Sequence, residues 1–360
     1  MLFAPASDRN TLAHMGHASV RLVCFLMLEE AGEGTPMEPL AKTTSTTTST
    51  GRAQWVGQSF VEALGEALDG YFARLSSVAC VTIVDELMRA LAEFYDAAAS
   101  SDRLVEFRET CQRHPLHALL LEDPFTAHGF LKPRGQAADG AMLDYIYRPR
   151  YLALSEVGEA VHFVTTNFGM AQSIARRRDR FAKALVQTVR ARRKARILSV
   201  ANGHLRALDT ARCLLDRRDF QIVALDTDDA SLREAVNANP DVNIVPLEQP
   251  VWHFLRQDSE IAFDLIYSAN LFDQLGDLEA SDLLGRLAAK LAPGGRLIVT
   301  TYAPENEARG YMEGMMGWSV VYRSESDLER LADSSRLKRF RTYRDAPGNI
   351  VYLEASYTRT

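Results

Sequence analysis

At 360 residues, with 47% hydrophobic and 24% charged side chains, the chain is long enough for two globular units and apolar enough to bury a substantial core. Its formal charge of -6 argues against nucleic acid as the main partner, because phosphate binding needs a basic surplus. The four cysteines are scattered, with no C-x-x-C pair and no secreted-framework spacing, which fits a reducing cytoplasm, and no stretch approaches the roughly 20 apolar residues of a membrane span.

In chain order, Arg21 precedes an apolar run, Leu22–Leu28, too short for a signal core, closed by Glu29-Glu30 and lacking a small-residue cleavage site. The tract Thr43–Thr50 buries too little apolar surface to offset ordering, so residues 1–52 are expected to form a disordered tail, with Met37 a second candidate start. Residues 53–193 are expected to be helical. Phe60, Leu64, Leu68 and Phe72 recur at four-residue steps, and Val84, Leu87, Met88, Leu91 and Tyr95 form a second stripe. Proline and glycine break up His114–Tyr147, which makes that stretch a candidate lid. One long helix is expected over Leu154–Arg193, its run Arg176-Arg177-Arg178 with Arg180 and Lys183 reading as a solvated face.

From residue 194 to 360 strands and helices alternate: strands at 196–200, 221–225, 242–246, 263–268 and 295–302, with helices at 204–216, 229–237 and 277–291 between them. Leu337–Tyr343 and Asn349–Tyr357, separated by Asp345-Ala346-Pro347-Gly348, predict a terminal antiparallel hairpin. The fold class is therefore α/β, a Rossmann-like sheet of the class I methyltransferase type, preceded by an all-α region.

Ligands of such sheets bind outside the carboxyl ends of the strands. Ala201-Asn202-Gly203-His204 is the first such loop, where Gly203 leaves room for a close approach but no full G-x-G-x-x-G is present. Asp226 lies about 20 residues further on, the spacing at which an acid accepts both ribose hydroxyls; the alternative is a helix N-cap, which Asp228 or Asp229 would also fill. Ser268, Asn270 and Asp273 follow the fourth strand, as reaction or cofactor contacts or as turn and cap residues. Tyr302, Tyr311 and Trp318 offer aromatic faces to a sulfonium, or simply pack their loop. His204, at the expected helix start, is a candidate base or a capping residue. His114 and His117 have no further ligands at metal spacing, so no metal is expected.

These pieces, S-adenosylmethionine (SAM) chemistry among their implications, resemble a bacterial family of class I SAM-dependent methyltransferases with a helical N-terminal region. The family includes 3-hydroxy fatty acid methyl ester synthases and azetidine-2-carboxylate synthases. The resemblance spans about residues 110–357 and rests on Asp123-Pro124-Phe125-Thr126, Lys132-Pro133-Arg134-Gly135, Leu143-Asp144-Tyr145-Ile146-Tyr147, Asp264–Ala269 and Arg309-Gly310-Tyr311-Met312-Glu313. The chain departs from it at Ala201-Asn202-Gly203, where the family favours Ala-Cys-Gly, and at Gly135-Gln136-Ala137-Ala138-Asp139, where it favours Gly-Tyr-Ala-Gly-Asp.

The resemblance implies that Arg134 and Tyr147 lie over the cofactor, Arg134 facing the SAM carboxylate or else pairing with Asp139 or Asp144. The expected cofactor-binding set is Arg134, Ala201, Asn202, Gly203, Asp226 and Ser268, and the expected catalytic set is Tyr147, Ser268, Asn270 and Tyr302. Three functions remain open. One is methyl transfer to an oxygen or carboxylate of a small metabolite or hydroxy fatty acid, in secondary metabolism. The second is cyclisation of SAM to azetidine-2-carboxylate with release of methylthioadenosine. The third is an inactive SAM-binding regulatory protein. The partner is a small molecule, and oligomeric state is left open.

Overall fold

The structure is a computed structural model that describes residues 59–356, except 151, 153, 216–218, 258–260, 336 and 338; the expected tail at 1–52 lies outside the described residues. Helix α1 (Phe60–Ser77) opens on a capping box between Ser59 and Glu62. Its buried stripe is Phe60, Leu64, Leu68 and Leu75, so Phe72 yields its expected core place to Leu75. In α2 (Val81–Ser100) all five expected stripe residues are buried. After α3 (Leu104–Arg113), the proline- and glycine-rich stretch forms three short helices, α4 (Pro115–Leu120), α5 (Pro124–Leu131) and α6 (Gly140–Tyr147). His114, Asp123 and Asp139 cap them in turn.

The long helix expected over Leu154–Arg193 is two helices, α7 (Glu156–Asn167) and α8 (Gly169–Ala191), with Phe168 extended between them (φ -62°, ψ 160°). Thr165 and Thr166 turn their hydroxyls back onto the His162 carbonyl, and Asn167 bonds the Phe163 carbonyl, so side chains compete with the helix ladder where it stops.

Strands β1 (Arg196–Val200), β2 (Gln221–Asp226), β3 (Asn243–Glu248), β4 (Phe263–Ser268) and β5 (Leu291–Tyr302) are parallel. They join β6 (Phe340–Arg344) and β7 (Ile350–Ser356) in one seven-stranded sheet ordered β3-β2-β1-β4-β5-β7-β6. The last two strands pair antiparallel, β7 inserting between β5 and β6, as expected of the terminal hairpin. Strands β1 and β4 fall at the expected residues, whereas β5 begins four residues early and shifts register opposite Phe263. There Gly295 approaches so closely that a Cβ would lie 2.7 Å from the Phe263 carbonyl oxygen.

Alternate strand residues face opposite layers. Ile197, Ile222, Leu265, Tyr267, Ile298, Tyr302, Ile350 and Tyr352 join the N-terminal helices in one continuous core. Leu198, Val200, Val223, Leu225, Ile266, Val299, Val351 and Leu353 face the second core. That layer holds α11 (Val251–Arg256), α12 (Asp277–Ala289) and α14 (Glu325–Ser334). Between β1 and β2 the helix expected at 204–216 shrinks to α9 (Ala207–Ala211) and a 3-10 turn, because Ala201, Gly203 and Leu205 all take left-handed φ of 52–54°. Helix α10 (Asp229–Ala238) follows β2, and α13 (Arg309–Gly314) follows β5.

Helix α13 fastens the helical layer to the sheet. Arg309 pairs with Asp96 and lies over the Tyr95 ring. Tyr311 shares a buried hydrogen bond of 2.9 Å with Thr126, and Glu313 accepts from Tyr95 and Arg108. Gly310 lies so tightly against α2 that a Cβ would collide with the Leu91 carbonyl.

Candidate functional site

A cleft of about 480 Å³ opens at the carboxyl ends of β1, β2 and β4, closed over by residues 134–143 of the helical layer. Val200, Leu225, Val251 and Leu271 supply apolar surface, and Asp226, Glu248, Gln249 and Asn270 supply polar groups. On the first loop, Gly203 (φ 54°) lies against the start of α6: a Cβ there would come within 2.8 Å of the Gly140 Cα. No L side chain fits this meeting of two backbones.

Asp226 is at the tip of β2. Its carboxylate accepts from the backbone N–H groups of Gly203 (3.3 Å), Thr227 (2.8 Å) and Asp228 (3.1 Å). Burial pushes its carboxyl up, partly offset by those N–H groups. Capping of α10 falls to Asp228, which accepts from Ala230 N–H and from the Ser231 hydroxyl, so Asp226 is not the N-cap. Arg134 pairs with Asp228 at 3.0 Å, across the mouth of the cleft, rather than with Asp139 or Asp144. Asp139 caps α6 and accepts from His128 at 2.7 Å.

Behind the cleft is a smaller cavity of about 30 Å³, lined by Tyr147, Asn202, Arg206 and Tyr267 among others. Leu143 and Asn270 line both spaces. Ala201, Gly203, Asp226, Arg134 and Asn270 thus line the outer cleft, while Tyr147, Asn202 and again Asn270 line the inner cavity. Asn202 turns its amide into the sheet, donating to Ser199 Oγ and to the Val200 and Tyr267 carbonyls, so its side chain holds the loop rather than facing the cleft. Ser268 and Tyr302 are fully buried and line neither space. The Ser268 and Tyr302 hydroxyls have no hydrogen-bond partner among the described residues, and Tyr302 packs edge-on to Trp318 at 5.6 Å. Tyr311 and Trp318 are buried packing residues.

His204 is not at a helix start. It occupies the left-handed loop, where its Nδ1 meets Asp144 at 2.8 Å and its ring fills the space beside Gly140. Asp144 also takes two hydrogen bonds from Arg206, which reaches on to Glu234. Burial raises the Asp144 carboxyl, but Arg206 and His204 outweigh it and hold it at about 2. His114 and His117 serve different partners, Asp69 and the Met315 carbonyl. Among the described residues no cluster of three or more His, Cys, Asp or Glu is placed to hold a metal, and no helix is long and apolar enough to cross a membrane.

The basic run on α8 is not wholly a solvated face. Arg177 is 1% exposed and reaches under the site, Nη1 donating to the Ala269 carbonyl (3.2 Å) and Nη2 to Asn270 Oδ1 (2.9 Å). Its guanidinium lies 5.7 Å from the Tyr302 ring centre. Asp273, equally buried, has its carboxyl pushed up to about 6 by desolvation, against the pull of Arg177 and Arg323. The signal for Arg177 was present in the periodicity, since it stands three residues after Ile174 and four before Phe181, both buried.

No protein-family model matches the sequence, and no curated protein matches it. Among solved structures, a possible exported protein from Bordetella parapertussis is similar at a TM-score of 0.53 and 17% identity, covering 73% of this chain and 97% of that one. Magnesium protoporphyrin IX methyltransferase (ChlM) from Synechocystis PCC 6803, with bound S-adenosyl-homocysteine, aligns at 0.42 and 14% identity, covering 60% of this chain and 92% of that one. N-methyltransferase NodS from Bradyrhizobium japonicum WM9 aligns at 0.37 and 14%, covering 51% and 97%. At 17% identity the first likeness speaks to the fold alone, and the other two are too distant to carry an argument.

Proposed function

We propose that this chain is a SAM-dependent enzyme that transfers the SAM methyl group to an oxygen or carboxylate nucleophile of a small molecule. The observation that carries it is Asp226: a carboxylate at the tip of β2, lining the cleft and relieved of capping duty by Asp228, suits a vicinal diol such as a ribose. The apolar walls at Val251 and Leu271 suit a flat base beside it. When bound, SAM supplies an electrophilic methyl carbon on a positively charged sulfur, which an attacking electron pair displaces with return of the bonding pair to sulfur. The residues around it then need chiefly to align the reactants and exclude water. Gly203 and Gly140 hold loop and lid together over the cleft, and Arg134 spans its mouth by pairing with Asp228.

A second reading, intramolecular cyclisation of SAM, is favoured by one observation. The inner cavity, which meets the cleft at Leu143 and Asn270, is small, about 30 Å³. It holds about two waters without rearrangement. The deciding experiment is incubation of the purified protein with SAM, alone and with hydroxy acids and fatty acids, followed by mass spectrometry of the nucleosides. S-adenosylhomocysteine appearing only with an acceptor supports methyl transfer. Methylthioadenosine with an equal amount of a cyclic amino acid, from SAM alone, establishes cyclisation. Binding of SAM without turnover supports a regulatory protein, and absence of binding overturns the cofactor assignment.

A further inference from the structure

The buried contact between Arg177 and Asn270 decides which way the Asn270 amide points. A guanidinium has only donors, so Arg177 Nη2, 2.9 Å away, can be met only by the amide oxygen. The Asn270 Nδ2 group is thereby turned from α8, and it makes no hydrogen bond with any described residue. Asn270 is also one of the two residues that line both the cleft and the inner cavity. Arg177 has little freedom of its own. Its Nη1 is held by the Ala269 carbonyl, the Tyr302 ring faces its guanidinium, and its Nε lies buried without a partner among the described residues.

We infer that Arg177 is a positioning residue that fixes Asn270 as a hydrogen-bond donor to an oxygen acceptor on the ligand, the carboxylate of the SAM amino acid tail. This rests on the proposed SAM dependence. A neutral amide NH2 turned to the junction of the two spaces donates to a carboxylate oxygen and opposes an ammonium, whose protons would meet the amide protons. The tail carboxylate therefore lies at the junction beside Asn270, and Arg134, already paired with Asp228 at the mouth, is left to hold the lid.

The test compares SAM with adenosine, which lacks the tail, in calorimetric titrations of the full chain. Asn270→Asp keeps the shape and still accepts from Arg177, but turns an acceptor toward the ligand. It is expected to weaken SAM binding about 30-fold or more, with adenosine affinity and melting temperature unchanged. Arg177→Met frees the amide to flip and is expected to weaken SAM about 10-fold, while Arg177→Lys, which can still donate to the amide oxygen, recovers most of the loss. In the Arg177→Met background, Asn270→Asp is expected to cost less than it does alone, because the two residues act as a unit. Wild-type affinity for SAM in Asn270→Asp, or equal losses for SAM and adenosine, overturns the inference and leaves the proposed function standing. A wild-type protein that binds neither SAM nor adenosine overturns the proposed function itself.

Discussion

Asp226 carries two tasks that its position makes inseparable. Its carboxylate ties down the backbone of the Gly203 loop as well as facing the cleft, so Asp226→Ala would loosen the loop along with removing the ribose contact. Asp226→Asn, which keeps shape and one acceptor, is the cleaner probe: SAM affinity is expected to fall about 10- to 100-fold with little change in melting temperature, read by calorimetry. A carboxyl raised by burial also takes up its proton at higher pH than an ordinary aspartate. Since the ribose hydroxyls donate to the ionised form, SAM affinity should begin to fall at a correspondingly higher pH on acidification. A profile set by an ordinary aspartate would contradict that. Asp144 has the opposite sign. Held at about 2 against an ordinary value of 3.8, it contributes stability that is present above about pH 4 and lost as pH falls through about 2. Asp144→Asn is expected to remove about 2 kcal/mol at pH 7, the gap narrowing from pH 4 downward in urea titrations.

At the scale of elements, the residues on which the family resemblance rests largely hold the layers together. Asp123 caps α5 and accepts from Thr126, His162 and Thr165, Asp144 ties α6 to the first loop, and the 309–313 segment anchors α13 to α2 and α3. Gly310→Ala places a methyl group into the α2 backbone and is expected to destabilise by about 1–3 kcal/mol in thermal unfolding, without a direct effect on SAM affinity. Short, largely apolar runs made β1 and β4 legible to the residue, because each is buried on both faces. The break at Phe168 and the short α9 were less so. Both are set by local side-chain and left-handed backbone geometry that leaves hydrophobic periodicity intact. Arg177 was obscured by its charged neighbours Arg176 and Arg178: the apolar stripe ran through it, but a positive charge on that stripe reads as surface until a carbonyl and an amide oxygen are seen to receive it. Asn202 carried the reverse problem, since a polar residue in a binding loop says nothing of which way its amide turns.

At the scale of the whole molecule, the helical layer and the sheet share one core. Phe60, Tyr95 and Met170 belong to the same buried cluster as Tyr267 and Tyr352. A layer with its own core would melt by itself, whereas this one loses its apolar cover when the sheet goes. Unfolding in denaturant is expected to show coincident transitions by far-ultraviolet circular dichroism and by tryptophan fluorescence. Separate midpoints would mean that the helical layer is an independent folding unit.

The same arrangement has a consequence during synthesis. The N-terminal helices leave the ribosome well before β7, whose Ile350 and Tyr352 complete the core they share. Domains generally fold as they emerge, but here α2 must wait for α13, whose Glu313 accepts from Tyr95 across 218 residues of sequence, a separation that also slows folding through loop closure. Until α13 is made, the face of α2 that it covers stays exposed, so a nascent chain halted before α13 should be a client of chaperones, and one carried through β7 should be released.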